Sequence, residues 1–432
     1  MEVDVLAGQV KAASLRLAAV SAQVKDAALE KIAEGLMARK AEIFAANAAD
    51  MEASEREKLA PPLLKRLKFD EAKLADVIDG IHSLTGLDDP VGRTLAATEL
   101  DDGLELYKVT CPIGVIGIIF ESRPDALVQI STLCLKSGNG VLLKGGSEAR
   151  RTNRVLTDVI AASAESAGIP SGWIKLLETR ADVDEMLKMD KYLDLIIPRG
   201  SNEFVRYIMN NTTIPVMGHA DGICHCYADS EADLDMAVHI AVDSKTQYVA
   251  VCNAAETLLV HEGIARELLP LLKQAMDEKH VALVGCPRTA AIIPVAPATE
   301  EDWKTEYLDY KLSVKVVRDL DEAIDHINTY GSGHTDAIIT GSRDNALRFM
   351  SLVDSGNVFW NCSTRFSDGF KYGLGAEVGI STGKLHARGP VGLEGLVIYK
   401  YLLKGGGQIV ADYAGRKKTF KHKRLDSDYN SL

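Results

Sequence analysis

From Gly114 onward the chain alternates between short, wholly apolar runs and longer segments of helical spacing. Gly114 to Phe120 reads as a buried strand and Pro124 to Ser137 as a helix. Val141 to Lys144 is the next strand, and Glu148 to Ala167 the next helix. Trp173 to Leu177, Leu193 to Ile197 and Ile214 to Met217 continue the strand series. A run that is apolar at every position suits a strand covered on both faces. Strands that alternate with helices predict a parallel sheet between helical layers. A second such alternation runs from about residue 231 to 360. It holds strands Thr257 to Val260, Ala337 to Thr340 and Asn357 to Trp360, and helices Gly263 to Glu278 and Asp344 to Val353. The fold class is therefore α/β, with two such blocks.

Three segments stand outside this rhythm. The first ~90 residues read as helices, with Leu15, Leu17, Ala18, Val24, Ala27, Leu29, Ile32, Leu36 and Met37 at helical spacing. Residues 95–111 read as a hairpin, because Asp102-Gly103 joins two alternating runs. The last ~45 residues form a tail with a basic run at 416–424, read as a solvated or subunit-contacting end. An exposed hairpin and tail strand beside an α/β core predict pairing with another subunit.

Composition narrows the function. A formal net charge of −12 argues against a nucleic-acid or membrane-surface binder. No apolar run approaches the ~18–20 residues of a membrane helix, and the acidic start Met1 to Asp4 is unlike a secretory signal. Seven scattered cysteines predict free thiols in a reducing, cytoplasmic setting.

Among those thiols, Cys252 lies in Gln247 to Thr257, between polar and small residues, where a helix gives way to a strand. The pattern leaves two readings, a nucleophile or a buried structural thiol. Cys134 sits on an apolar helix face and reads as core. Cys224 and Cys226 flank His225, but no second ligand pair follows at zinc-like spacing, so no metal site is expected. Cys111, Cys286 and Cys362 show no local activating feature. Lys144-Gly145-Gly146-Ser147 ends a strand and opens a helix, an arrangement that suits an anion. Arg150 and Arg151 add charge one turn on, and Pro198-Arg199-Gly200-Ser201 repeats the logic. Arg365 lies in the polar loop Asn361 to Phe366. Cations at several strand ends of an acidic protein predict a small polyanionic ligand.

The segments Ile118 to Pro124, Val141 to Ser147, Ile197 to Glu203, Thr212 to Gly222, Val251 to Thr257 and Gly356 to Asn361 together resemble the gamma-glutamyl phosphate reductases of the aldehyde dehydrogenase superfamily. The resemblance runs from near the N-terminus to about residue 403. It implies a Rossmann-like NADP-binding domain at 1–229, with hairpin 95–111 in an oligomerisation flap. It also implies a catalytic domain at 230–385 and a return segment with strand and tail at 386–432. The implied reaction is NADPH-dependent reduction of L-glutamyl 5-phosphate to L-glutamate 5-semialdehyde and phosphate, the second step of proline biosynthesis.

By this resemblance Cys252 is the nucleophile, and Ser122 and Arg123 are the candidate side-chain donors to the oxyanion. Lys144, Gly145, Ser147, Arg150, Gly200, Ser201 and Glu306 are expected to hold the cofactor, and Asn253, Arg365 and Lys371 the substrate. Acid-forming relatives carry a glutamate base where this chain has Met217 or its neighbours, which favours phosphate exchange over hydrolysis. Ser147 replaces a glutamate found in NAD-preferring relatives, removing a repulsion against a 2′-phosphate. A homo-oligomer is expected, and contact with glutamate 5-kinase is possible, since the two are fused in some organisms. Met1 close to the first helix favours a stand-alone chain. The rival readings are another thiol-dependent acyl-phosphate or aldehyde dehydrogenase, and a non-catalytic relative.

Overall fold

The computed structural model describes residues 3–178, 182–219, 221–375 and 377–431. Ala220, inside the Thr212 to Gly222 stretch, lies outside them. Both expected sheets are present, and both are wholly parallel. The first has four strands in the order Ile174–Leu177, Gly140–Gly145, Val115–Phe120, Leu195–Arg199. The second has seven, in the order Ala296–Pro297, Ala282–Gly285, Lys311–Val317, Ala255–His261, Cys224–Ala228, Thr335–Ile339, Asn357–Trp360. The strands Val115–Phe120 and Gly140–Gly145 are buried at every residue, which is why they read as unbroken apolar runs.

Two details of the sequence reading change. Cys224–Ala228 precedes the expected boundary at 229, yet it lies inside the second sheet. The crossing therefore falls near 217–223, a short stretch that the sequence reading did not take as a boundary. Ile214 to Met217 forms only a single parallel bridge, Val216 with Ile196, instead of a strand. The chain returns to the first core through Val378, Val391, Leu393 and Leu396, which pack in one cluster with Met217.

The N-terminal helices Val3–Leu17, Ala22–Ala38, Lys40–Arg56 and Glu71–Thr85 pack on that core, and the short helix Pro61–Leu67 packs on Lys40–Arg56. Leu17, Leu29, Ile32 and Leu36 are buried as expected, but Leu15 is 70% exposed and Met37 47% exposed. Each helix residue turns the side chain by about 100°, so neighbours of core positions face water. The expected hairpin forms from Thr94–Asp101 and Leu104–Pro112, with Gly103 at φ 67° in its turn. It sits in a third sheet between Lys423–Leu425 and Val397–Lys404.

Candidate active site

Cys252 lies in the turn between the helix Leu234–Thr246 and the strand Ala255–His261. Its neighbour across the sheet connection is Gly222, where a Cβ atom would stand 2.2 Å from the Cys252 carbonyl oxygen. The same carbonyl accepts from the Cys224 thiol at 3.2 Å. Burial pushes the Cys252 thiol up to about 12; the Glu306 and Glu377 carboxylates push the same way, and Arg199 opposes them. The resting sulfur is therefore a protonated thiol.

Two histidines close on it. One ring nitrogen each of His219 and His334 lies, with the Cys252 sulfur, in a group whose atoms are all within 4.8 Å of one another. The two rings meet edge to face, 4.8 Å between centroids. His219 places Nδ1 2.9 Å from the Ile380 carbonyl, so that nitrogen carries the proton and Nε2 keeps its lone pair. Burial lowers the basicity of both imidazoles, and His334 is fully buried with Nε2 unpartnered.

Three arginines supply charge. Arg123, Arg199 and Arg365 form no ion pair among the described residues. Arg123 is held below the usual guanidinium range by burial and then by Arg199. Arg365 is lowered by burial, with the charge of Cys252 opposing, and its Nε donates to Gln247 at 2.9 Å. Arg199, Gly200, Asn202, Met217 and His219 line a small cavity of ≈ 70 Å³.

The other expected residues divide. Ser122 sits at φ 44°, and both its backbone N–H and its hydroxyl donate to Glu148 at 2.7 Å. That one hydroxyl proton is committed, which leaves Arg123 as the unengaged donor of the pair. Asn253 donates to the Ser367 carbonyl at 2.7 Å, with its own buried oxygen unpartnered. Lys371 is exposed and pairs with Asp368 at 3.7 Å. Glu306 accepts from Asn202, linking the two halves beside the thiol. Ser201 caps the helix Asn202–Asn210, and its N–H donates to Glu121 at 3.1 Å. A Cβ at Gly200 would lie 2.7 Å from Glu121 Oε2.

Lys144 is buried, donates to the Gly145 carbonyl and forms no ion pair among the described residues. A Cβ at Gly145 would stand 2.2 Å from Asn153. Ser147, Arg150, Arg151 and Arg154 face Asp50, Ser54 and Glu57 across a groove of ≈ 380 Å³. Arg154 holds Glu178 through its Nε at 2.6 Å, while Arg150 reaches it only at 3.3 Å.

Sequence reasoning missed His219, His334, Arg199 and Glu377 as neighbours of the thiol. Glu377 places a carboxylate near Cys252 after all, although one oxygen is held by the Gly369 N–H at 2.7 Å. Cys286 was passed over too: its thiol sits 3.3 Å from the Thr289 hydroxyl, and hydrogen bonds hold it below its usual value despite burial.

Comparison with known proteins shows the family. The aldehyde dehydrogenase family profile matches residues 1–311. The gamma-glutamyl phosphate reductase of Acetivibrio thermocellus is 73% identical over 429 residues, 99% of this chain and 100% of that protein. This chain is a member of the gamma-glutamyl phosphate reductases, within the aldehyde dehydrogenase family. The same enzyme from Pelotomaculum thermopropionicum is 72% identical over 99% of each chain. The crystal structure of the gamma-glutamyl phosphate reductase from Thermotoga maritima superposes with a TM-score of 0.93 at 41% identity, covering 95% of this chain and 100% of that one. An acetylating aldehyde dehydrogenase from Geobacillus thermoglucosidasius, 18% identical with a TM-score of 0.64, shares the fold. The two parallel sheets are thus the Rossmann-like and catalytic layers of an aldehyde dehydrogenase fold. No helix among the described residues is long and apolar enough to cross a membrane.

Proposed function

We propose that this chain reduces L-glutamyl 5-phosphate to L-glutamate 5-semialdehyde with release of phosphate, using NADPH, in the second step of proline biosynthesis. The observation that carries this reading is one thiol flanked by two neutral imidazoles and acted on by the guanidinium groups of Arg199 and Arg365, which form no ion pair among the described residues. That constellation receives an electrophile bearing several negative charges.

Cys252 gives its proton to the free nitrogen of His219 or to His334, and its sulfur forms a bond to the acyl carbon. The bond from that carbon to the phosphate oxygen breaks, and phosphate departs with the proton. Arg123 and Arg199 hold the phosphate, and Arg365 holds the α-carboxylate. When bound, the dinucleotide supplies the hydride that takes the Cys252 thioester to the aldehyde level. Cys252 is then released to start again. The Cys252 backbone N–H and Arg123 stabilise the oxyanion on the acyl carbon.

Lys144, Gly145 and Ser147 suit the phosphate side of the cofactor, because the strand end leaves no room for a side chain at 145. Arg150 and Arg151 favour a 2′-phosphate, and hence NADPH over NADH. Val397–Lys404 ends its sheet with Ile398, Tyr401 and Leu403 exposed, an edge suited to a second copy of the chain. A homo-oligomer in the cytoplasm is the expected setting.

The reverse assay tests the reading. NADP should be reduced by glutamate 5-semialdehyde only when phosphate is present, and Cys252→Ala should abolish the reaction. Phosphate-independent turnover would instead favour an acid-forming dehydrogenase, with Glu377 as the base that activates water.

A further inference from the structure

We infer that His219, Cys252 and His334 form a binding site for one thiophilic divalent cation, zinc in the first instance, which silences the nucleophile reversibly. The donor set is two imidazole nitrogens and one sulfur, and the atoms lie within 4.8 Å of one another. Zinc bonds of about 2.0–2.3 Å place tetrahedral ligand atoms roughly 3.3–3.8 Å apart, so rotations that close the longest gap by about 1 Å complete the site. Nitrogen and sulfur donors select zinc, cobalt or cadmium over magnesium or calcium.

Each histidine carries a second mark of a ligand. The Ile380 carbonyl fixes His219 by its Nδ1, the arrangement usual for a metal-bound imidazole. His334 is fully buried, with Nε2 unpartnered. The surrounding charge is balanced: the Glu306 and Glu377 carboxylates act on the sulfur, against Arg199 and Arg365. Binding exchanges the thiol proton for a metal–sulfur bond, and an acyl carbon cannot then reach the sulfur. The site does not depend on which acyl donor the thiol captures.

The test is a titration of the metal-stripped full-length chain with Co²⁺, then Zn²⁺. One Co²⁺ per chain should bind with a sulfur-to-cobalt charge-transfer band, and Zn²⁺ should displace it. Cys252→Ser should remove the band, whereas Cys226→Ser on the neighbouring strand should keep it. His219→Ala and His334→Gln should each weaken zinc binding by more than the roughly 10–100-fold that loss of a ligand's supporting partner costs. In the wild-type chain, where folding is not in question, zinc should protect Cys252 from alkylation, read by mass spectrometry. Absence of the band, its survival in Cys252→Ser, or equal alkylation with and without saturating zinc would each overturn the inference.

Discussion

Gly222 and Cys252 are packed backbone to backbone: a Cβ at Gly222 would lie 2.2 Å from the Cys252 carbonyl oxygen and 2.4 Å from its Cα. Real Cβ atoms do not approach backbone so closely, so an added methyl must move the turn that carries the thiol. Gly222→Ala should keep the fold, because both sheets lie outside this contact. A displacement of about 1 Å at a reacting atom costs on the order of 10²-fold in rate. The expected outcome is a kcat lower by about that factor, with KM for NADPH little changed. Wild-type kcat in Gly222→Ala would show that the thiol tolerates the shift.

The thiol itself predicts a pH dependence. Burial and then Glu306 hold it up, to about 12, while Arg199 opposes them. The thiolate fraction therefore rises tenfold per pH unit up to that value. An unperturbed thiol levels off near 8.5. Alkylation of Cys252 in the free enzyme, followed on its own peptide, should climb without a plateau between about pH 7 and pH 10. At about pH 9, Glu306→Gln removes a repulsion and should speed alkylation, while Arg199→Gln removes an attraction and should slow it. A plateau near pH 8, or both variants moving the same way, would contradict this account.

The location of Cys252 was legible because its signals are local: small and polar neighbours at the join of a helix and a strand. The hairpin was legible for the same reason, with Asp-Gly between alternating runs. His334 was not. It precedes the strand Thr335–Ile339, which pairs with Cys224–Ala228 about a hundred residues earlier, and only that pairing brings it near the thiol. Glu377 and Arg199 arrive the same way, from the return segment and the first sheet. The place where the chain leaves the first sheet was missed because Gly218 to Gly222, though small and polar, is short and reads like any other turn at a strand end.

The groove beside Ser147 predicts how the cofactor is chosen. Arg154 already satisfies Glu178 in two-point fashion, so Arg150, at 3.3 Å from the same carboxylate, is the guanidinium more easily freed for a phosphate. Arg150→Ala should raise KM for NADPH about tenfold, the loss of one phosphate contact at about 1.4 kcal/mol, and leave KM for NADH unchanged. Salt should weaken NADPH binding in the wild type more than in the variant. An equal rise for both cofactors would assign Arg150 to structure alone.

Lys245, on the helix Leu234–Thr246, and Glu256, on the strand Ala255–His261, form a fully buried pair, Nζ to Oε2 at 2.5 Å. Burial drives both toward neutrality, lowering Lys245 and raising Glu256 to about 7. Glu256 also receives the Leu308 N–H at 3.4 Å, which ties the pair to the segment that carries Glu306. Lys245→Met leaves a lone buried carboxyl and should cost about 3–5 kcal/mol of unfolding free energy at neutral pH. The sign of the pH effect follows from the raised carboxyl. Its folded value lies above its unfolded one, so the unfolded chain binds fewer protons between about pH 4.5 and 7, and stability falls as pH rises through that window. Without the ammonium the window widens upward, so the deficit of Lys245→Met should be smaller at pH 5 than at pH 8. Adding Glu256→Leu removes the stranded carboxyl and should restore stability to within about 1–2 kcal/mol of wild type, since a buried pair is often matched by apolar residues. Chemical denaturation of the three chains at both pH values decides the matter: a double variant less stable than Lys245→Met would mean that the pair contributes net attraction rather than mutual compensation.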